Sequence, residues 1–291
     1  MTLRIGSRGS DLALWQARYV AARLGDAEII VIKTRGDQIQ NMTLDKVEGK
    51  GFFTKELENA LLSHEVDVAV HSYKDLPTEA VLGLTIAAVP ERASVNDVVI
   101  ADPSIVDPAE PIGVKAGARI GTSSLRRKAQ LAYLQPSVMA VDIRGNVPTR
   151  LARVGKDLDA VVLALAGVTR LGLLASTTLA IHVLPVDAMT PAPAQGALAI
   201  QTRSEDASAI ATVASLDDYT TRVGVDIERQ LLARFGGGCH LPLGAYATGN
   251  RLIATVTAPD GTVRCHADER GAEVVERAHA ALVSQGAARY L

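Results

Sequence analysis

The alternation of short apolar runs, polar loops and helical stretches predicts an α/β protein of two lobes followed by a small α+β domain. Three observations carry this expectation. A strand, polar loop and helix repeat from Leu3 to Val89, and a second series of the same kind runs from Asp97 to Ala164. Beyond Asp218 the pattern changes to a helix, a glycine knuckle, three short strands and a last helix. The first two series read as parallel sheets flanked by helices.

Composition fits that class. The chain has 291 residues, 48% hydrophobic and 21% charged, which suits a folded protein of several domains. A net charge of -2 excludes a general nucleic-acid binder, which needs a broad basic face. The longest apolar run, Ala160 to Val168, is too short to span a bilayer. A cytoplasmic protein with reduced cysteines, Cys239 and Cys265, and with no membrane or nucleic-acid partner is the expectation.

Taken in order, Leu3 to Ile5 reads as a strand, and Ser10 or Asp11 caps a helix from Leu12 to Leu24 that stops at Gly25. The loop holding Arg8 thus sits at a helix N-terminus, where free N–H groups favour an anion. Glu28 to Thr34 is a second strand, and the long polar segment Arg35 to Lys50 reads as a lid. A helix over Thr54 to Ser63 and a strand over Val66 to Val70 lead into His71-Ser72-Tyr73-Lys74-Asp75. Ligands of such sheets gather at the carboxyl ends of the strands, which is where Lys74 and Asp75 fall. Leu84 to Val89 is the next strand, with a crossover near residue 90.

The second series has strands at Asp97 to Ala101, Ala118 to Gly121, Val138 to Asp142 and Ala160 to Ala164. Thr122-Ser123-Ser124 opens a helix whose first turn carries Arg126 and Arg127; cations there oppose the helix dipole, which points to a ligand. Arg144-Gly145-Asn146 with Arg150, and then Arg170, follow the next strands. Proline-rich 185–193 marks a return crossing. The expected domains are 1–90 with 196–214, 95–188, and 218–291, the last with strands Gly244 to Thr248, Leu252 to Val256 and Val263 to Ala267 and a helix from Glu273 to Gln285.

Arg8, Arg126, Arg127, Arg144, Arg150 and Arg170 all fall at or near expected strand-to-helix junctions, and guanidinium forks grip carboxylates or phosphates in pairs. Neither of the glycine-rich nucleotide-binding patterns is present, so carboxylates are the preferred ligand. Asp75 beside Lys74 reads either as an exposed ion pair before a turn or as a carboxylate facing a cationic intermediate. Cys239 after Gly236-Gly237-Gly238 reads either as a small residue closing a turn or as a presented thiol. His64, His71 and His182 read as structural, and the two Cys-His neighbours match no zinc spacing. A two-lobed solute receptor is the competing class, and a thiol acyl-transfer enzyme ranks last for want of a base.

Several motifs in one order carry a resemblance. They are Ser7-Arg8-Gly9-Ser10, Thr34-Arg35-Gly36-Asp37, Lys50-Gly51-Phe52-Phe53-Thr54-Lys55-Glu56, His71-Ser72-Tyr73-Lys74-Asp75-Leu76-Pro77, Gly121-Thr122-Ser123-Ser124-Leu125-Arg126-Arg127, Arg144-Gly145-Asn146-Val147 and Gly237-Gly238-Cys239. Over nearly its whole length the chain resembles the porphobilinogen deaminase, or hydroxymethylbilane synthase, family. The resemblance implies two lobes like type II periplasmic binding proteins and a third domain bearing the cysteine. It implies a dipyrromethane cofactor on Cys239 through a thioether, porphobilinogen as substrate, added four times with loss of ammonia, and a monomer. Asp75 matches the catalytic aspartate. Ser72, Lys74, Thr122, Ser123, Ser124, Arg126, Arg127, Arg144, Gly145, Gln195 and Gly196 match cofactor positions, and Arg8, Ser10, Lys46, Lys50, Phe53, Arg150 and Arg170 match substrate positions. Two departures stand out: Ala194 where glycine is common, which implies a stiffer hinge, and Pro148 in a first helical turn, where it is tolerated.

Overall fold

The computed structural model describes residues 2–33, 54–237 and 241–291. β1 (Leu3–Ser7), α1 (Asp11–Leu24), β2 (Ala27–Val31), α2 (Lys55–Leu62), β3 (Val68–Ser72) and β4 (Leu84–Ala88) come first. β5 (Asp97–Ala101), β6 (Arg119–Gly121), α3 (Leu125–Leu134), β7 (Met139–Val141), α4 (Val147–Leu151), β8 (Ala160–Ala164), α5 (Leu165–Arg170), α6 (Leu173–Ser176) and β9 (Ala180–Val183) follow. β10 (Leu198–Arg203), α7 (Ala207–Val213), α8 (Tyr219–Arg234), β11 (Leu243–Thr248), β12 (Arg251–Thr257), β13 (Arg264–Arg270) and α9 (Val274–Ser284) complete the chain. No helix among the described residues is long and apolar enough to cross a membrane.

Two compact units result, Met1–Ala93 with Gly196–Val223 and Ser94–Gln195 with Gly224–Leu291. In the first, the sheet order is β2-β1-β3-β10-β4, with β1, β2 and β3 parallel and β10 antiparallel to both of its neighbours. α1 forms because Ser10 caps it, its hydroxyl accepting from the Ala13 N–H at 3.3 Å, and because Ala13, Gln16, Ala17 and Val20 fall on one buried face. Alternation along β3 sends Val68 and Val70 to a core with Ile5 and Val20, and Ala69 to a second core with Leu57 and Leu61. The sheet is therefore covered on both faces.

The second unit repeats the layout as β7-β6-β8-β5-β9, with β6, β7 and β8 parallel and β5 antiparallel to β8 and β9. Val99, Ile120 and Val162 face one core, and Val98, Val161 and Leu163 the other. The two five-stranded sheets thus share one layout. The same unit holds the antiparallel sheet β11-β12-β13, which packs Leu252, Ala254 and Val256 against Leu231, Val275 and Leu282. Its β12–β13 turn approaches α3 so closely that a Cβ on Gly261 would lie 2.4 Å from the Ala132 carbonyl carbon.

The sheets correct the expectation of purely parallel pairing. β10 pairs with β3 across about 130 positions of sequence, as the 71–201 contact shows, and local periodicity carries no information about strand direction at that range. β9 escaped the sequence reading because it is a short edge strand with Ile181 and Val183 exposed.

Candidate functional site

In the first unit the loops after β1 and β3 enclose a cavity of about 80 Å³ whose lining includes Arg8, Ser10, Gln16, His71, Ser72 and Asp75. Asp75 ends a 3-10 turn, Tyr73–Asp75, that follows β3 directly, so the strand end places it; it is exposed, and Lys74 beside it is half-buried. Ser72 accepts from Gln16 Nε2 at 2.8 Å, which ties the β3 end to α1. Ser10 divides its role between capping α1 and lining the cavity. Gly196 accepts from the Ala93 N–H through its carbonyl, just ahead of β10.

His71 is buried, with Nε2 3.1 Å from Gln201 Oε1, a contact that puts the proton on Nε2. Burial lowers its pKa to about 4, the Gln201 bond opposes this, and the Arg8 charge adds to it. At neutral pH the ring is therefore uncharged. Sequence reasoning set His71 aside as structural, and it assigned no role to Gln16 and Thr54, which also line the cavity.

In the second unit the carboxyl ends of β6, β7 and β8 present the expected loops. Ser123 donates to the Ile143 carbonyl at 2.6 Å and accepts from its N–H at 3.0 Å, which clips the loop after β6 to the loop after β7. Ser124 caps α3 on the Arg127 N–H, and the Thr122 hydroxyl accepts from the Ser124 N–H. Asn146 caps α4, and Arg150 Nε donates to the Gly145 carbonyl at 2.8 Å. Arg144 and Arg150 are half-buried. Arg170 departs from expectation: it ends α5 instead of opening a helix, where a cation is favourable to the dipole.

Arg126 and Arg127 point inward. Arg127 donates from Nε at 3.0 Å and Nη2 at 2.7 Å to Asp97 Oδ1, and from Nη1 to the Val162 carbonyl at 3.1 Å. Arg126 Nη1 lies 2.7 Å from Asp97 Oδ2 and donates to the Thr190 carbonyl at 2.7 Å. Gln195 donates to Asp97 Oδ1 at 3.0 Å and to the Val95 carbonyl at 2.8 Å. Burial alone would raise the Asp97 carboxyl, but the two guanidinium charges outweigh it and hold the group far below the usual carboxylate range. For Arg126, burial lowers the pKa and Asp97 opposes it. Two cations against one carboxylate leave this cluster at +1, and among the described residues neither the buried Arg126 Nε nor Asp97 Oδ2 has a hydrogen-bond partner. A buried cluster with a net positive charge favours an anion beside it.

Asp97 is the principal residue that sequence reasoning missed. The only signal was a lone acid opening an otherwise apolar strand, Asp-Val-Val-Ile-Ala. Ala194, noted as a departure, adopts a left-handed φ of 61°, and its N–H donates to buried Glu228 Oε2 at 2.6 Å. Cys239, Lys46, Lys50 and Phe53 lie outside the described residues.

Residues 3–211 match the family profile described as porphobilinogen deaminase, dipyromethane cofactor binding domain, and residues 223–288 match the C-terminal domain of the same family. The chain belongs to the porphobilinogen deaminase family. The porphobilinogen deaminase of Syntrophus aciditrophicus (strain SB) is 45% identical over 268 residues, covering 90% of this chain and 85% of that protein. The porphobilinogen deaminase of Acidithiobacillus ferrooxidans (strain ATCC 53993 / BNL-5-31) is 41% identical over 304 residues, covering 100% of this chain and 97% of that one. Among solved structures, an ancestral cationic amino acid solute binding protein is similar with a TM-score of 0.42 and 12% identity, over 78% of this chain and 93% of its own. In this family's terms the buried +1 cluster fits carboxylates, which the residues of the second unit can meet with guanidinium forks and capped-helix hydroxyls.

Proposed function

We propose that the chain is a hydroxymethylbilane synthase, a transferase of tetrapyrrole biosynthesis. It joins four porphobilinogen molecules head to tail with loss of ammonia and releases the linear tetrapyrrole by hydrolysis. The observation that carries the reading is the buried +1 cluster of Arg126, Arg127 and Asp97, whose Arg126 Nε has no hydrogen-bond partner among the described residues, because porphobilinogen and a dipyrromethane both present carboxylates.

Dipyrromethane, tethered to Cys239 through a thioether, supplies the covalent primer when bound. Ser72, Lys74, Asp75, Thr122, Ser123, Ser124, Arg126, Arg127, Arg144, Gly145, Gln195 and Gly196 are assigned to holding it. Thr122, Ser123 and Ser124 do so in part through the backbone they fix, since their hydroxyls already close the loop after β6. Arg8, Ser10, Lys46, Lys50, Phe53, Arg150 and Arg170 are assigned to substrate, the arginines and lysines to its acetate and propionate groups. Asp75 stands at the cavity mouth as the carboxylate that stabilises positive charge developing on a substrate pyrrole as its amine leaves. It also takes the proton displaced when the new carbon–carbon bond forms. Neutral His71 adds no positive charge beside it. A domain division at 1–90 with 196–214, 95–188 and 218–291, a cytoplasmic location and a monomeric state free of nucleic acid belong to the same proposal.

The test is the denatured intact mass of the wild-type chain beside Cys239→Ser. A wild-type mass raised by two linked pyrroles and an unmodified variant are expected. Wild-type protein that stays at the sequence mass after incubation with porphobilinogen would refute the reading.

A further inference from the structure

We infer that Asp97 is a positioning residue that sets the guanidinium forks of Arg126 and Arg127 so that they grip one carboxylate of the bound pyrroles together. The inference rests on the deaminase reading for the identity of the anion, and on the geometry of the second unit for the rest.

β5 runs antiparallel to β8, with Asp97 opposite Ala164. The first residue of β5 therefore lies at the edge where the loops after β6 and β8 emerge, although it is remote from both in sequence. There its carboxylate is fully buried. Oδ1 takes two donors from Arg127 and one from Gln195, and Oδ2 meets Arg126. Carbonyls complete the fixation: Thr190 takes Arg126 and Val162 takes Arg127. Both long side chains thus lose their rotamer freedom during folding and not during binding, which is how preorganisation raises affinity.

The stoichiometry gives the second reason. With no acid, two buried cations would repel each other; with two acids the cluster would be neutral and indifferent to an anion. One acid keeps the arginines charged and in place while leaving +1 for the ligand. Gln195 holds the acid without changing that sum, because its amide is neutral.

The experiment compares wild type with Asp97→Glu, which keeps the charge but moves the carboxylate by one methylene, and with Asp97→Asn, which keeps the shape but removes the charge. Circular dichroism and Tm report folding. Intact mass reports pyrrole loading, and rates normalised to the loaded fraction separate KM from kcat. Asp97→Glu is expected to fold, with KM for porphobilinogen raised on the order of a hundredfold and kcat changed far less, as for misplacement of a binding group. Asp97→Asn is expected to lose both Tm and loading. Wild-type KM and loading in Asp97→Glu would overturn the inference, and so would failure of both variants to fold, which would assign Asp97 to folding alone. A wild-type chain that never takes up pyrroles would instead refute the deaminase reading. The inference then stands or falls on acetate: at ionic strength matched with chloride, acetate should raise the Tm of wild type more than that of Asp97→Glu, and equal rises would overturn it.

Discussion

Replacing Arg127 by leucine removes three buried hydrogen bonds, two to Asp97 Oδ1 at 3.0 and 2.7 Å and one to the Val162 carbonyl at 3.1 Å. Breaking a buried ion pair costs about 3–5 kcal/mol when the remaining charge is left alone. Asp97 here keeps Arg126 at 2.7 Å and Gln195 at 3.0 Å, so the lower end, about 3 kcal/mol, applies. The cluster charge falls from +1 to 0. A carboxylate about 4 Å away then loses roughly 4 kcal/mol of attraction at an effective dielectric near 20, and about half of that once water fills the gap, which is on the order of a thirtyfold loss of affinity. Two assays read the two effects. The urea midpoint of the purified chain reports the first, with the second unit's transition followed by its own probe because two compact units need not unfold together. Porphobilinogen KM and covalent pyrrole content report the second. Arg127→Lys restores charge without the fork, so it should recover part of the affinity and little of the stability. A leucine variant with wild-type KM, full pyrrole content and an unshifted midpoint would refute the reasoning.

Asp75→Asn removes the charge at the cavity of the first unit without changing its shape, so turnover should fall by about 10²–10⁴ while pyrrole content stays near wild type; a normal rate in a stopped assay would remove Asp75 from the chemistry. Asp67 is favoured by burial to rise, but bonds from Arg4 and Arg203 win and bring it to about 2. Its stabilisation is complete above the unfolded value of 3.8 and is lost as pH falls through about 2. Arg4 is 36% exposed and therefore screened, so about 1 kcal/mol is expected, and Asp67→Asn should flatten that part of the acid unfolding curve. Gly261→Ala places a Cβ 2.4 Å from the Ala132 carbonyl carbon at a φ of 74°, with an expected loss of about 3 kcal/mol. Gly249→Ala, at a φ of 56° with open space around it, should lose only about 1 kcal/mol; equal Tm shifts would show that the turn does not press on α3.

Much of the local structure was legible because its causes are local. Ser10, Ser124 and Asn146 cap helices within three residues of themselves, and the spacing of Ala13, Gln16, Ala17 and Val20 marks the buried face of α1. The motif order through Arg8, Asp75, Arg126 and Arg144 carried the family, since side-chain chemistry at set spacings is written in the chain itself. Strand direction was not legible in this way. A strand has the same alternation read in either direction, so nothing in Leu198–Arg203 or Asp97–Ala101 said that each would enter its sheet antiparallel. That direction decides the site of the second unit. It turns the first residue of β5 toward the carboxyl ends of its neighbours, where Asp97 meets Arg127 from 30 positions away and Gln195 from 98. Most elements, their caps and the stock of charged groups are written locally in the chain, apart from short edge strands such as β9; which charge neutralises which follows from pairing between segments that share no local signal, and so emerges with the fold.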